Sequence, residues 1–145
     1  MLENLLIGLP TMALCLLLQA VLFTVVIRYY LRRSARVDRA SFWTSVNIVN
    51  SVMLMLVIGN LAQLTIWAVL FRWLGEFDNL ADAVYHSAVN FATLGYGDIV
   101  MSEHHRLLGP LEAINGVLMI GMSTAGLTTA IQDVLRRNRA AKKRG

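Results

Sequence analysis

Six consecutive residues carry the most distinctive chemistry of this chain: Thr93, Leu94, Gly95, Tyr96, Gly97 and Asp98. Gly95 and Gly97 tolerate both signs of φ, so a segment built on them can keep successive carbonyl groups pointing to one side. A row of carbonyl oxygens can replace the water around a bare cation. Asp98 adds a negative charge that raises the local concentration of cations. The two glycines therefore permit a row of main-chain carbonyls beside one carboxylate.

The composition is that of a membrane protein. Of 145 residues, 57% are hydrophobic and only 15% are charged, and the length suits one domain. The single cysteine, Cys15, lies in an apolar run and cannot build a disulfide framework. We do not expect that run to be a signal peptide, because it shows neither a basic leader nor a small-residue cleavage site. No nucleophile, base or metal set converges. We therefore expect neither an enzyme nor a cofactor, a small-molecule substrate or a nucleic-acid partner.

Three uncharged stretches are long enough to cross a bilayer, which takes about 20 helical residues. They are residues 5–27, 40–71 and 113–132. Pro10 lies near the start of the first stretch, and Pro110 fits the first turn of the third helix, where proline is tolerated. The second stretch exceeds one crossing. We expect its first part to lie at the membrane interface, with Phe42 and Trp43 as anchors.

A fourth apolar stretch, residues 80–93, is too short to span a membrane. As a helix of about 14 residues it would be roughly 20 Å long. Asp78 and Asn79 are both good N-caps, and Asp82 follows Asn79 by three residues. The backbone of a helix that enters the membrane and turns back must be satisfied inside protein. The stretch and the loop after it therefore predict a re-entrant segment between the second and third spans.

Basic residues indicate the topology, because 11 of the 13 lysines and arginines fall in two segments. They are Arg28, Arg32, Arg33, Arg36 and Arg39, and then Arg136, Arg137, Arg139, Lys142, Lys143 and Arg144. With three spans both segments lie on one side, which the positive-inside rule makes cytoplasmic. We expect a multi-pass protein of the cell membrane with its N-terminus outside and its C-terminus in the cytoplasm. The basic segments would face the cytoplasmic leaflet of the lipid bilayer.

Taken together, these elements resemble the pore-loop potassium channel family, whose filter carries the sequence TVGYG. Leu94 stands where valine is usual. The resemblance covers roughly residues 46–137 and implies an outer helix, a pore helix over 80–92, the filter and an inner helix. It implies an additional transmembrane helix and basic loop over 1–45, and a basic tail over 138–145. The implied fold class is an all-α membrane protein that assembles as a homotetramer, because each chain supplies one filter loop.

The resemblance also implies roles for the filter residues. The carbonyl groups that bind potassium, the permeant ion, would be those of Thr93, Leu94, Gly95 and Tyr96. Gly95 and Gly97 would supply the permissive dihedral angles. Tyr96 would point away from the axis and support the filter against surrounding aromatic rings.

The same resemblance implies roles for Tyr85 and His86 of the pore helix. Asp98 and Tyr85 would lie at the outer mouth, with a hydrogen bond from the Tyr85 hydroxyl to Asp98; ordinary interfacial packing of Tyr85 is the alternative. His86 either titrates near neutral pH and tunes the filter, or is a packing residue with satisfied nitrogens, which we favour.

The inner helix carries a second match. Gly121 would be a hinge, or alternatively a point of close helix packing. Helical spacing puts one stripe of residues on a common face: Met122, Ala125, Thr129 and Asp133. By resemblance this stripe faces the cavity and inner mouth. Asp133 would form a ring of four carboxylates, or pair with Arg136 or Arg137, which we favour.

Two further groups attract attention because they could do chemistry. Glu112 lies in the first turns of the inner helix, and an ionisable group inside a span is a functional candidate; the alternative, which we favour, is that it only stabilises the helix N-terminus. Glu103, His104 and His105 do not predict a metal site, because adjacent histidines point apart on a helix or strand and no further ligand is visible.

The expected function is a potassium-selective channel. The alternative is an accessory or heteromeric subunit of a cation channel or of a potassium uptake system, although uptake systems normally place four imperfect repeats in one chain.

Overall fold

The computed structural model describes residues 1–35 and 42–142, and their side chains apart from those of residues 35, 42 and 137–142. The helices are α1 (Leu2–Ala35), α2 (Phe42–Trp73), α3 (Leu80–Phe91) and α4 (Leu108–Lys142), and no strand occurs in these ranges. α1, α2 and α4 are long and apolar enough to cross a membrane. The predicted class, an all-α membrane protein, is confirmed. Arg36, Arg39, Ala40 and residues 143–145, which entered the predictions, lie outside the described residues.

The long helices extend beyond their uncharged stretches. α1 begins at Leu2 and continues past Arg28 and Arg32, because arginine favours the helix and its long side chain lets the charge reach water. Pro10 therefore lies in the third turn of α1 rather than near a helix start. Since proline has no N–H, the Leu6 carbonyl loses its usual helical donor.

α3 is the short helix that the sequence predicts between the second and third spans. Its 12 residues make it about 18 Å long, roughly half of a membrane crossing. At its start the Asn79 side chain accepts a hydrogen bond from the Asp82 N–H at 2.8 Å and donates one to the Asp82 carboxylate at 2.6 Å. The predicted N-cap is confirmed. The helix ends at Phe91, one residue before the predicted end.

All four helices meet in one apolar cluster, which holds α3 in place. Its buried members are Cys15, Trp67, Ala68, Phe71, Phe77, Ala83, Leu108 and Leu111. The ring of Phe71 contacts those of Trp67 and Phe77 at centroid distances of 5.8 and 6.5 Å. A second cluster packs α1 against α2 and α4 through Val26, Tyr30, Ile48, Val52, Leu56, Ala130 and Val134. α1 is therefore part of the same helical bundle.

A buried polar network also joins the three long helices. The Gln63 amide donates to Gln19 Oε1 at 2.6 Å, and the Gln19 amide donates to the Ser123 hydroxyl at 3.2 Å. The Ser123 hydroxyl in turn donates to Asn60 Oδ1 at 3.3 Å. Gln19 and Gln63 are fully buried. Amide groups in an apolar bundle need such partners, so the network fixes α1 against α2 and α4.

Candidate functional site

α3 ends in a hydrogen-bonded turn that begins the run 93–98. The Thr93 N–H donates to the Asn90 carbonyl and the Leu94 N–H donates to the Val89 carbonyl, both at 2.8 Å. This pair of bonds is the Schellman motif, which satisfies the last carbonyls of a helix. The motif needs a left-handed residue after the helix, and Thr93 takes that place with a φ of 58°. Glycine normally occupies this position, so the backbone at Thr93 is strained.

The sign of φ alternates along the loop. Thr93, Gly95 and Gly97 have φ values of 58°, 56° and 73°, whereas Leu94 and Tyr96 between them lie outside the left-handed region. Gly95 and Gly97 thus adopt the dihedrals expected of them. Thr93 is the only non-glycine residue with positive φ in the described part of the chain, and such strain costs on the order of 1–3 kcal/mol. In a segment whose φ alternates in sign, the backbone N–H groups point to one side. The carbonyl groups then point to the opposite side.

The loop is uncovered in the single chain. The side chains of Leu94 and Tyr96 are 55% and 67% exposed. Apart from the adjacent residues, no described atom lies within 4 Å of the position that a Cβ would take at Gly95 or Gly97. The described residues of the chain therefore leave most of Tyr96 uncovered.

Tyr85 and Asp98 join α3 to the end of the loop. The Tyr85 hydroxyl donates to Asp98 Oδ2 at 2.7 Å, so the predicted hydrogen bond is confirmed. This bond lowers the pKa of Asp98, because it stabilises the carboxylate, and it raises the pKa of Tyr85. Asp98 consequently stays ionised to lower pH than an ordinary aspartate.

His86 holds the residue that follows Asp98. It is 6% exposed, and its Nδ1 lies 2.9 Å from the Ile99 carbonyl while its Nε2 lies 2.7 Å from the Asn90 amide. A carbonyl only accepts, so Nδ1 donates and Nε2 accepts from the Asn90 amide. The ring also packs against Phe77, with centroids 4.9 Å apart. His86 is the satisfied packing residue that the sequence favoured.

Glu112 is fully buried in the second turn of α4, against α3. Ser87 and Asn90 of α3 are its polar neighbours, and neither carboxyl oxygen makes a direct hydrogen bond. The sequence placed Glu112 near a helix end but could not show that α3 covers it. A buried carboxyl behind the loop is a functional candidate in its own right.

A second buried carboxylate, Glu76, was missed by sequence reasoning. It accepts hydrogen bonds from the N–H and the hydroxyl of Ser102, at 2.6 and 2.7 Å, and from Nδ1 of His105 at 2.5 Å. Burial alone would raise the pKa of Glu76, but these hydrogen bonds outweigh it and hold that pKa below its ordinary value. The contact ties the turn before α3 to the segment before α4. No local pattern links residues so far apart in sequence.

Two glycines of α4 have different surroundings. A Cβ at Gly116 would collide with the main chain of Phe91, the last residue of α3. Glu112 and Gly116 are one turn apart and share a face, which is the signal that could have revealed this contact. At Gly121, by contrast, no described atom other than those of its chain neighbours and its own helix backbone lies within 4 Å of such a Cβ. Within the described residues Gly121 is therefore not a point of close helix packing, and its role as a hinge stays a prediction.

Three residues of the predicted inner stripe are exposed, and the fourth contacts α1. Met122, Ala125 and Thr129 are exposed. Asp133 is half-buried and accepts a hydrogen bond from the Tyr30 hydroxyl of α1 at 2.6 Å. Thr129 and Asp133 also line a groove of about 520 Å³ between α1 and α4, to which Arg136 contributes. Asp133 thus contacts α1, a neighbour that neither of its two predicted roles included.

Comparison with known proteins agrees with this geometry. No curated protein and no solved structure matches the chain. A family profile described as "Ion channel" matches residues 59–133, slightly more than half of the chain. The matched region contains the part of α2 from Gly59 onward, all of α3, the loop and α4 as far as Asp133. With its three long apolar helices, the chain is a multi-pass membrane protein that belongs to the ion channel family.

Proposed function

We propose that this chain forms a potassium-selective channel in which four copies surround one axis and potassium passes through the loop 93–97. The observation that carries the proposal is the alternation of φ at Thr93, Gly95 and Gly97. No purely structural turn requires three left-handed residues in alternate positions, one of them β-branched. Strain of this kind persists where function depends on it.

The chemistry of the proposed site is the replacement of water by carbonyl oxygens. The carbonyls of Thr93, Leu94, Gly95 and Tyr96 would take over the hydration shell of a potassium ion, and the Thr93 hydroxyl would complete the innermost position. A small ion such as sodium gains less from oxygens held at this spacing. Leu94 in place of valine changes the packing behind the filter and leaves the main chain available. No cofactor takes part in this transport.

The exposure of the loop supports assembly with other copies. Backbone groups at membrane depth must be covered by protein or line a water-filled space, and residues 93–98 are all exposed in the described part of the chain. Since each chain has one loop, four copies would complete the filter. The exposed Leu94 and Tyr96 would then pack against neighbouring subunits.

Charge supports one orientation in the membrane. The proposal places the N-terminus, Asp98 and Tyr85 on the outer side, and the two basic segments and the C-terminus in the cytoplasm. The C-terminal end of α3 carries a partial negative charge that favours a cation below the filter. The exposed Met122, Ala125 and Thr129 would face the cavity there, with Gly121 free to act as a hinge.

Ion flux into liposomes that contain only this protein tests the proposal. We expect potassium and rubidium to enter and sodium to be excluded. Gly97→Ala should abolish the potassium flux, because alanine resists a φ of 73°. Gly75→Ala is the matched control: Gly75 has a φ of 76° and equally open surroundings, but it lies before α3, away from the loop. Equal sodium and potassium flux, or equal loss in both variants, would contradict the proposal.

A heteromeric or accessory subunit is the second candidate function. The same uncovered loop favours it, because unlike chains could complete the filter as well as identical ones. Native mass spectrometry of the purified protein separates the two cases. Four identical chains with potassium flux support the homotetramer. A stable monomer or dimer without flux supports a subunit that needs a different partner.

A further inference from the structure

The segment before α4 brings imidazole and carboxylate groups together. The ligand atoms of Glu3, His104 and His105 all lie within 4.8 Å of one another. His104 Nε2 is 3.2 Å from Glu3 Oε2. The two histidine rings are perpendicular neighbours with centroids 4.5 Å apart. The sequence argued against this arrangement, because adjacent histidines diverge on a helix or strand. Residues 103–107 form a turn instead, and the third ligand comes from α1.

We propose that Glu3, His104 and His105 bind a divalent transition-metal cation, with zinc the best fit. Zinc binds histidine nitrogen and carboxylate oxygen at about 2.0–2.2 Å, so two ligands of a tetrahedral zinc ion lie roughly 3.4 Å apart. The separation of 3.2 Å between His104 and Glu3 is close to that value. Two imidazoles select zinc, nickel or copper over calcium and magnesium, which prefer oxygen ligands.

Glu76 prepares His105 for this role. It accepts from His105 Nδ1, and it is itself held by the N–H and hydroxyl of Ser102. With Nδ1 engaged, Nε2 is the nitrogen left to bind a metal. Carboxylates that hold the second nitrogen of a ligating histidine fix its tautomer and orientation in many metal sites. The Glu76 side chain is only 6% exposed, so its contact with His105 is protected from water.

Glu3, the ligand from α1, is also held near the two histidines. The Asn4 amide donates to the His104 carbonyl at 2.8 Å, which keeps the first turn of α1 beside the turn 103–107. Glu3 therefore needs only a change of side-chain torsion to reach a metal. Together the charges of Glu3 and Glu76 balance that of a divalent cation. A bound metal would join the start of α1 to the segment that leads into α4.

Metal titration of the whole protein in detergent tests this inference, which does not depend on ion conduction. We expect zinc to bind saturably, with one ion per chain, and to raise the melting temperature; magnesium should do neither. Cobalt in place of zinc should give the visible absorption of a four-coordinate site. His104→Ala should weaken zinc binding by more than about tenfold and Glu3→Gln by a similar factor. Glu103→Gln is the matched control, since Glu103 lies in the same turn outside the cluster, and it should bind as the unaltered protein does.

The outcomes separate the site from the channel function. Zinc binding that fails in His104→Ala and Glu3→Gln but persists in Glu103→Gln supports the site, whether or not the protein conducts potassium. An absence of saturable binding would overturn the inference. So would equal affinity in all three variants, because it would place zinc elsewhere. His104→Ala leaves the Glu76–His105 contact intact, so its melting temperature without metal reports whether the variant is folded.

Discussion

The main chain of Phe91 fills the space that a side chain at Gly116 would need. Phe91 ends α3, and the strained loop begins two residues later at Thr93. α4 and the end of α3 are thus in direct backbone contact at the base of the loop. A shift of α4 at Gly116 would press on Phe91, because neither main chain can rotate away as a side chain would.

Gly116→Ala should therefore impair the loop. The added methyl group forces α3 and α4 apart at a cost of about 1–3 kcal/mol, and we expect both lower thermal stability and loss of potassium flux. Gly59→Ala is the control, because the neighbour of Gly59 is the flexible side chain of Leu22, which can move. Stability and flux measured on both variants decide the matter: unchanged flux in Gly116→Ala would show that the contact is not needed.

Removal of the Tyr85 hydroxyl should alter the response to acid. Because the hydrogen bond lowers the pKa of Asp98, its stabilising effect is complete above the ordinary aspartate pKa of about 3.9. It is lost as the pH falls through the lower pKa of the folded protein. In Tyr85→Phe the pKa of Asp98 should rise, so potassium flux should fail at a higher external pH. An unchanged acid midpoint, recorded as flux against external pH, would mean that the bond has no role at the mouth.

Glu76→Gln should destabilise the protein by about 1–3 kcal/mol, since Ser102 and His105 would lose a charged acceptor. The pKa of Glu76 is lowered, so its contribution is present above the ordinary value of about 4.3 and disappears as the pH falls below that. Melting temperatures of the unaltered protein and of Glu76→Gln at pH 7 and pH 4 check this direction. The difference in melting temperature between the two proteins should be smaller at pH 4. Glu103→Gln, at an exposed position, should show no gap at either pH.

The Gln19–Gln63 hydrogen bond predicts a measurable coupling between α1 and α2. Each single change to leucine leaves a buried amide without its partner, at a cost of about 1–3 kcal/mol. The loss of unfolding free energy in the double variant should be smaller than the sum of the losses in the two single variants. A double-mutant cycle of unfolding free energies in detergent should give a coupling of about 0.6–1.7 kcal/mol. A coupling of zero would show that the two amides act independently.

Much of this fold follows from local sequence. Uncharged length predicts the three spans, and Asn79 with Asp82 predicts the start of α3 to the residue. The Tyr85–Asp98 bond was predicted from the resemblance to the pore-loop potassium channel family, and its two residues lie only 13 positions apart. In each case the decisive residues are close together in the chain or belong to one long pattern.

The remainder depends on contacts between distant residues, which periodicity does not report. Glu112 is buried because α3 covers it, and Glu76 because the segment before α4 folds back over it. His104 and His105 converge because they lie in a turn, where helix and strand geometry do not apply. Helix ends were also uncertain, since α1 runs well into its basic segment and hydropathy marks only the part inside the membrane.

The central claim is that the carbonyl oxygens of residues 93–96 bind dehydrated potassium on a fourfold axis. Crystals of the assembled protein grown with rubidium or thallium would test it most directly, because anomalous scattering locates these potassium substitutes. We expect a file of ion peaks on the axis, each between carbonyls contributed by four chains, which disappears in crystals of Gly97→Ala. Carbonyls turned away from the axis, or an assembly without ion peaks in the unaltered protein, would contradict the account.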